Sequence, residues 1–187
     1  MKPAYFTALL AATLTASPAF AWTADETQRA RKGEVVVHEV TVADGAAVEA
    51  IFYVAAPPAA AIGVLWDHEK FPQFMPNAKT SRVLERHAND IVLEQVGGQG
   101  PVNVTLVTKR HRAGNHIDWT LVRGDVARND GSWDAAAAPG GTMLTYKVHV
   151  VPKGPVPARV TSFLQKQALP SMCKAVRERV EAVSRKP

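Results

Sequence analysis

Residues 54–79 read V-A-A-P-P-A-A-A-I-G-V-L-W-D-H-E-K-F-P-Q-F-M-P-N-A-K. The stretch ends a β-branched run at Val54 and opens a helix at Pro57-Pro58. Proline suits the first helical position, because its missing N–H would have no intrahelical partner there. Ile62, Leu65 and Trp66 then follow helical spacing. The helix gives way to a segment broken by Pro72 and Pro76, which carries the bulky apolar side chains of Phe71, Phe74 and Met75. Such groups on a short broken helix either plug a cavity or close one.

Upstream, residues 34–42 are dense in valine and read as a strand. Asp44-Gly45 is a turn signal, so residues 47–54 pair back as a hairpin arm. Val48, Ala50, Phe52 and Val54 share one face of that arm, while Ile51 and Tyr53 make the other face partly apolar. Residues 22–33 are polar and end at Gly33, which suits a short helix or a loose arm. Downstream, residues 80–86 and 90–96 read as strands joined at 87–89. A glycine-rich loop at 97–101 follows, then an alternating strand at 102–110 with Val102, Val104, Leu106 and Thr108 on one face. After a turn at 112–115, residues 116–123 place Ile117, Trp119 and Leu121 together. Asn129-Asp130-Gly131 predicts a turn into a weak strand around Trp133. The last strand puts Leu144, Tyr146, Val148 and Val150 on one face and Met143, Thr145, Lys147 and His149 on the other.

Strands at such regular spacing argue for one meandering antiparallel sheet. The chain then changes period. Val160, Phe163, Leu164, Ala168, Met172, Val176, Val180 and Val183 recur at helical spacing over residues 158–183, with Pro170 expected to kink the helix. A long amphipathic helix must bury its apolar face against the sheet. The fold class is therefore α+β, a curved antiparallel sheet wrapped round a long C-terminal helix, with short helices after the first strands.

The opening stretch also resembles the entry to a START-like (helix-grip, SRPBCC) domain, in particular the polyketide cyclase/dehydrase and coenzyme Q-binding families. The matching residues are Ala56, Pro57, Trp66, Asp67, Phe71, Pro72, Phe74, Met75 and Pro76. The resemblance continues through the order of elements and covers residues 34–187. It implies a sheet that curves away from the helix and leaves room for a hydrophobic ligand. Many members of these families carry Tyr where this chain has His68.

The N-terminus reads as a removable export signal. Lys2 precedes an apolar run over residues 4–14, and Ser17-Pro18-Ala19-Phe20-Ala21 supplies an A-x-A ending, so cleavage is expected after Ala21. Removing 21 of 187 residues leaves 166, a size for one domain. The formal charge of +5 becomes +4, since only Lys2 is lost. The expected location is periplasmic or secreted. A moderately basic exported protein suits an anionic membrane surface better than nucleic acid. Lys109, Arg110 and Arg112, and again Lys174, Arg177, Arg179, Arg185 and Lys186, are either a solvated face or such a membrane contact. No base-reading motif is present, and no nucleic-acid partner is expected.

The chain carries no G-x-S-x-G, H-E-x-x-H, C-x-x-C or P-loop motif, and neither cofactor nor metal is expected. Its single cysteine, Cys173, reads as a small buried or half-buried hydrophobe. His111 and His116 flank a turn and read as solvated hairpin histidines. Asp67 and His68 are the candidate acid–base pair if buried; more simply, Asp67 caps the next short helix and His68 is exposed. The better candidates are ligand-binding residues: Trp66, Phe71, Phe74, Met75, Trp119, Trp133, Tyr146, Phe163 and Met172, with Gln167 as a polar contact from the helix. Core packing is the plain alternative for each apolar member. The expected function is binding, with transfer as its extension, of a hydrophobic small molecule such as a lipid or quinone-like isoprenoid. A cyclase or dehydratase using the same cavity is the first alternative, and a partner-binding domain with a filled core the second. Polar groups inside a cavity would favour the enzyme, an apolar cavity the carrier, and no cavity the partner-binder.

Overall fold

The computed structural model describes residues 22–98, 103–155 and 158–185, with backbone alone for 158–165. The elements run α1 (Ala24–Arg31), β1 (Val36–Val40), β2 (Ala46–Val54), α2 (Pro58–Trp66), a 3-10 helix (His68–Gln73), β3 (Ala78–His87), β4 (Asp90–Gly97), β5 (Val104–Ala113), β6 (His116–Gly124), β7 (Val126–Ala138), β8 (Gly141–Pro152) and α3 (Ala158–Ser184). The strands form one eight-stranded antiparallel sheet in the order β1-β2-β8-β7-β6-β5-β4-β3. β3 to β8 are a simple meander. The first hairpin joins it through β2 on β8, and the α2 segment crosses from one end of the sheet to the other between β2 and β3.

Local chemistry explains the hinges of this path. Gly45, with φ of 65°, makes the first hairpin turn, and a Cβ there would lie 2.2 Å from the Val150 carbonyl. α2 begins with Pro58 inside its first turn and has no side-chain cap. Register shifts fall in the β3–β4, β5–β6 and β7–β8 pairings. The β5–β6 shift leaves Val122 as the extra residue on β6, and its side chain is exposed. Such bulges bend a strand and increase its twist.

The main core lies on the concave face. Val48, Phe52 and Val54 of β2, Leu65 of α2, Ile117 of β6 and Leu144 of β8 are all but fully buried there. α3 presents Leu169, Cys173, Val176 and Val180 to this core. That stripe keeps Val176 and Val180 of the expected set but replaces Ala168 and Met172 by their neighbours, and Val183 is exposed. Cys173 is buried as expected, and burial pushes its thiol up to about 12. The helix continues through Pro170.

A second, smaller cluster sits on the opposite face. Ala30 of α1 packs with Val36, Ile51 and Met143, with Trp22 and Tyr53 beside them. The apolar outer face of β2 is thus covered by α1. Residues 22–33 are a helix stitched to the sheet, its N-terminus closed by a Thr23–Glu26 capping box.

The sequence-based strand boundaries fail most at one place, while β5 also runs on through Arg112 and Ala113 of the expected turn. Asn129-Asp130-Gly131 is not a turn: all three lie within β7, paired to Val150, His149 and Val148 of β8. Gly131 is required by packing rather than by a bend. A Cβ there would meet the Lys147 carbonyl at 2.2 Å and the Trp119 indole at 2.4 Å.

Candidate ligand-binding site

Between the β4–β7 part of the sheet, the 3-10 segment and α3 lies a cavity of about 340 Å³. Phe71, Met75 and Pro76 wall it from the broken helix, Leu106 from β5, Trp119 from β6 and Trp133 from β7. Tyr146 contributes from β8, and Ala168 and Met172 from α3. The aromatic wall is continuous. Tyr146 stacks on Trp119 at 5.8 Å and 29° and tilts against Trp133 at 4.6 Å.

Of the expected ligand residues, Phe71, Met75, Trp119, Trp133, Tyr146 and Met172 line this space. Trp66 does not; its ring packs on His68 and lies 5.8 Å from the Arg112 guanidinium. Phe74 turns instead into an outer groove of about 230 Å³ between α2 and α3, where Arg179 lies over its ring. The expectation for Gln167 is corrected: its side chain is exposed and is not part of the cavity wall. α3 is rotated so that Ala168 and Met172 face the cavity. The side chain of Phe163 lies outside the described residues.

The polar lining adds Gln95, Arg110 and Asn129 to the expected Tyr146. Arg110 is buried on β5 with its guanidinium 5.0 Å from the centre of the Trp119 ring. Its Nε donates to Thr108 Oγ1 at 3.2 Å, and one terminal nitrogen donates to Gln95 Oε1 at 2.7 Å. Arginine only donates, so Gln95 must present its oxygen to it, and its amide nitrogen turns to Ser81 at 3.4 Å. Trp119 Nε1 likewise fixes Asn129, donating to its Oδ1 at 2.8 Å and leaving the Asn129 amide donors toward the cavity. Tyr146 is enclosed by protein yet only half-buried by surface, because its open side faces the cavity. Burial holds its phenol well above the ordinary range, against the opposing pull of Arg110. One signal in the sequence pointed to Arg110: it shares the phase of Leu106 and Thr108 on β5. Its charge and its neighbours Lys109 and Arg112 argued for the surface instead.

The candidate acid–base pair is not assembled. Asp67 makes no side-chain cap; it pairs with Lys70 at 2.5 Å on the outer side. His68 is not exposed but 1% accessible, wedged between Trp66 and Phe71 with neither ring nitrogen hydrogen-bonded. Burial, then Arg110 and Arg86, hold its pKa well below 6.5. The helix break needs a flat side chain there, and aromatic packing supplies the reason for its burial.

The other histidines and the basic groups separate. His111 contacts Asp90 at 3.3 Å, and His116 bridges Asp134 at 2.6 Å and Asp118 at 3.5 Å. Arg177 is structural, donating to the Tyr53 and Gly33 carbonyls. Lys109, Lys174 and Arg185 are exposed; Lys186 lies outside the described residues.

A model of the family described as polyketide cyclase / dehydrase and lipid transport matches residues 54–177. Solved structures with the same fold include a START superfamily protein from Mycobacterium smegmatis, with TM-score 0.67 and 24% identity over 73% of this chain and 98% of that one. A STAR-related lipid transfer protein from Xanthomonas axonopodis gives TM-score 0.64 and 20% identity over 78% and 93%. The Zhui aromatase/cyclase from a Streptomyces species gives 0.62 and 15% over 80% and 94%. At these identities the likeness shows the fold. No curated protein sequence matches.

Proposed function

The chain belongs to the polyketide cyclase/dehydrase and lipid transport family, and from that premise we propose that it is an exported carrier of a hydrophobic small molecule. The observation that carries this reading is the aromatic and sulfur-lined cavity of about 340 Å³ between sheet and α3. A ligand there would be driven in by apolar burial, at roughly 25 cal/mol per Å² before the cost of its immobilisation. The core is therefore not filled, which argues against a purely partner-binding domain. A lipid or a quinone-like isoprenoid has the right character, and delivery between membranes would extend the same chemistry. The A-x-A ending at Ala21 supports export to the periplasm or beyond. Exposed Lys109, Lys174 and Arg185 offer electrostatic contact with an anionic membrane.

Arg110, Gln95, Asn129 and Tyr146 favour an enzyme as the second reading, since they could polarise a bound carbonyl. Carriage ranks above it because these groups do not exchange protons near neutrality. Burial leaves Arg110 at about 10 and raises the Tyr146 phenol, while amides do not titrate. Organic extraction of the protein purified from the cell envelope, followed by mass spectrometry, tests the carrier reading. Stoichiometric recovery of one apolar compound is expected. An extract free of such compounds, from protein that also fails to take up any apolar probe, would overturn it.

A further inference from the structure

Arg110 poses an electrostatic problem that the protein alone does not solve. It is 7% accessible, and burial lowers its pKa only to about 10, so it remains a cation at neutral pH. Its two hydrogen bonds go to neutral oxygens, of Thr108 and Gln95. Every Asp and Glu of the chain lies among the described residues, and none of them pairs with Arg110. The titratable groups that interact with it, His68 and Tyr146, are both held neutral by burial. A buried charge without a counter-ion is costly and is ordinarily paired. The remaining guanidinium N–H donors are unpaired among the described residues, and Arg110 is the one charged residue among those lining the cavity.

Resting on the ligand-binding reading above, we infer that the cavity takes a single-tailed carboxylic acid, of the fatty-acid class, with its carboxylate on Arg110 and its tail among Phe71, Met75, Leu106 and Met172. One guanidinium balances one negative charge, which suits a carboxylate and leaves a phosphomonoester dianion with charge to spare. Guanidinium donors match carboxylate oxygens in geometry and strength. The Asn129 amide and the Tyr146 hydroxyl lie on the same lining and supply further neutral donors. A volume of about 340 Å³ sits at the low end of small-molecule sites, roughly 300–1,000 Å³, and suits one chain rather than the two of a phospholipid.

The test is calorimetric titration of the purified protein at pH 8 with dodecanoic acid, dodecanol and methyl dodecanoate, in wild type, Arg110→Met and Arg110→Lys. The acid is expected to bind roughly ten- to a hundredfold tighter than the alcohol, as a charge-assisted contact implies. That ratio should fall to near one in Arg110→Met and be partly restored in Arg110→Lys. In wild type alone, independent of how the variants fold, affinity for the acid should drop as pH falls through the ligand's own pKa while that for the alcohol holds. Equal binding of acid and alcohol in wild type, or a preference that survives Arg110→Met, would overturn the inference and leave the cavity reading standing. Failure of all the compounds to bind wild type would remove both.

Discussion

His68 shows how a single side chain can reverse its expected role. A histidine beside an aspartate at a helix break reads as a cap neighbour or an acid–base partner; here both ring nitrogens are buried and unpaired. Its folded pKa is held below the ordinary 6.5. The unfolded chain therefore binds the proton first, so stability is full above about pH 6.5 and is lost as pH falls from there toward the folded pKa. The steepest loss one such proton allows is about 1.4 kcal/mol per pH unit. His68→Leu should be at least as stable as wild type at pH 7, because it removes unsatisfied nitrogens, and should lose less stability between pH 7 and pH 5. Denaturant unfolding at both pH values checks this. Parallel losses in the two proteins would show that His68 is not held neutral.

At the scale of elements, the strand whose start the sequence misplaces, β7, is the one that seats the Trp119 indole. Asn129-Asp130-Gly131 has turn chemistry, yet β7 runs straight through it because β8 pairs with every residue there. Tertiary pairing overrode local preference. Gly131 is small because the Trp119 ring and the Lys147 carbonyl occupy the space a Cβ would need. Gly131→Ala should cost about 1–3 kcal/mol as an overpacking change and displace the indole. A lower thermal midpoint with red-shifted tryptophan emission is the expected result, and wild-type values for both would refute this placement. α3 teaches a related lesson. Its helical period was plain in the sequence, and Val176 and Val180 are buried as expected, but before them the core takes Leu169 and Cys173 in place of their neighbours Ala168 and Met172. Gln167 is left outside the site, while Ala168 and Met172 of the expected stripe line the cavity. Periodicity fixes that a helix has a buried face; the neighbours fix its phase.

For the whole molecule, the fold was legible because alternation in the strands, the Pro57-Pro58 helix start and the long C-terminal helix all point to one architecture. The aromatic half of the site was legible for the same reason: Trp119, Trp133 and Tyr146 lie on inward phases of their strands. The polar half was not, since an arginine between Lys109 and a histidine reads as surface until the sheet is seen to curve round it. That combination, aromatic walls with a buried cation, is the central claim about this protein, and it places Trp119 and Trp133 as built-in reporters. The most direct test is titration of tryptophan emission with dodecanoic acid at pH 8. Binding in the cavity should change the emission saturably, with one site per chain and a midpoint below the concentration at which the acid forms micelles. A linear, non-saturating response, or none, would contradict the account.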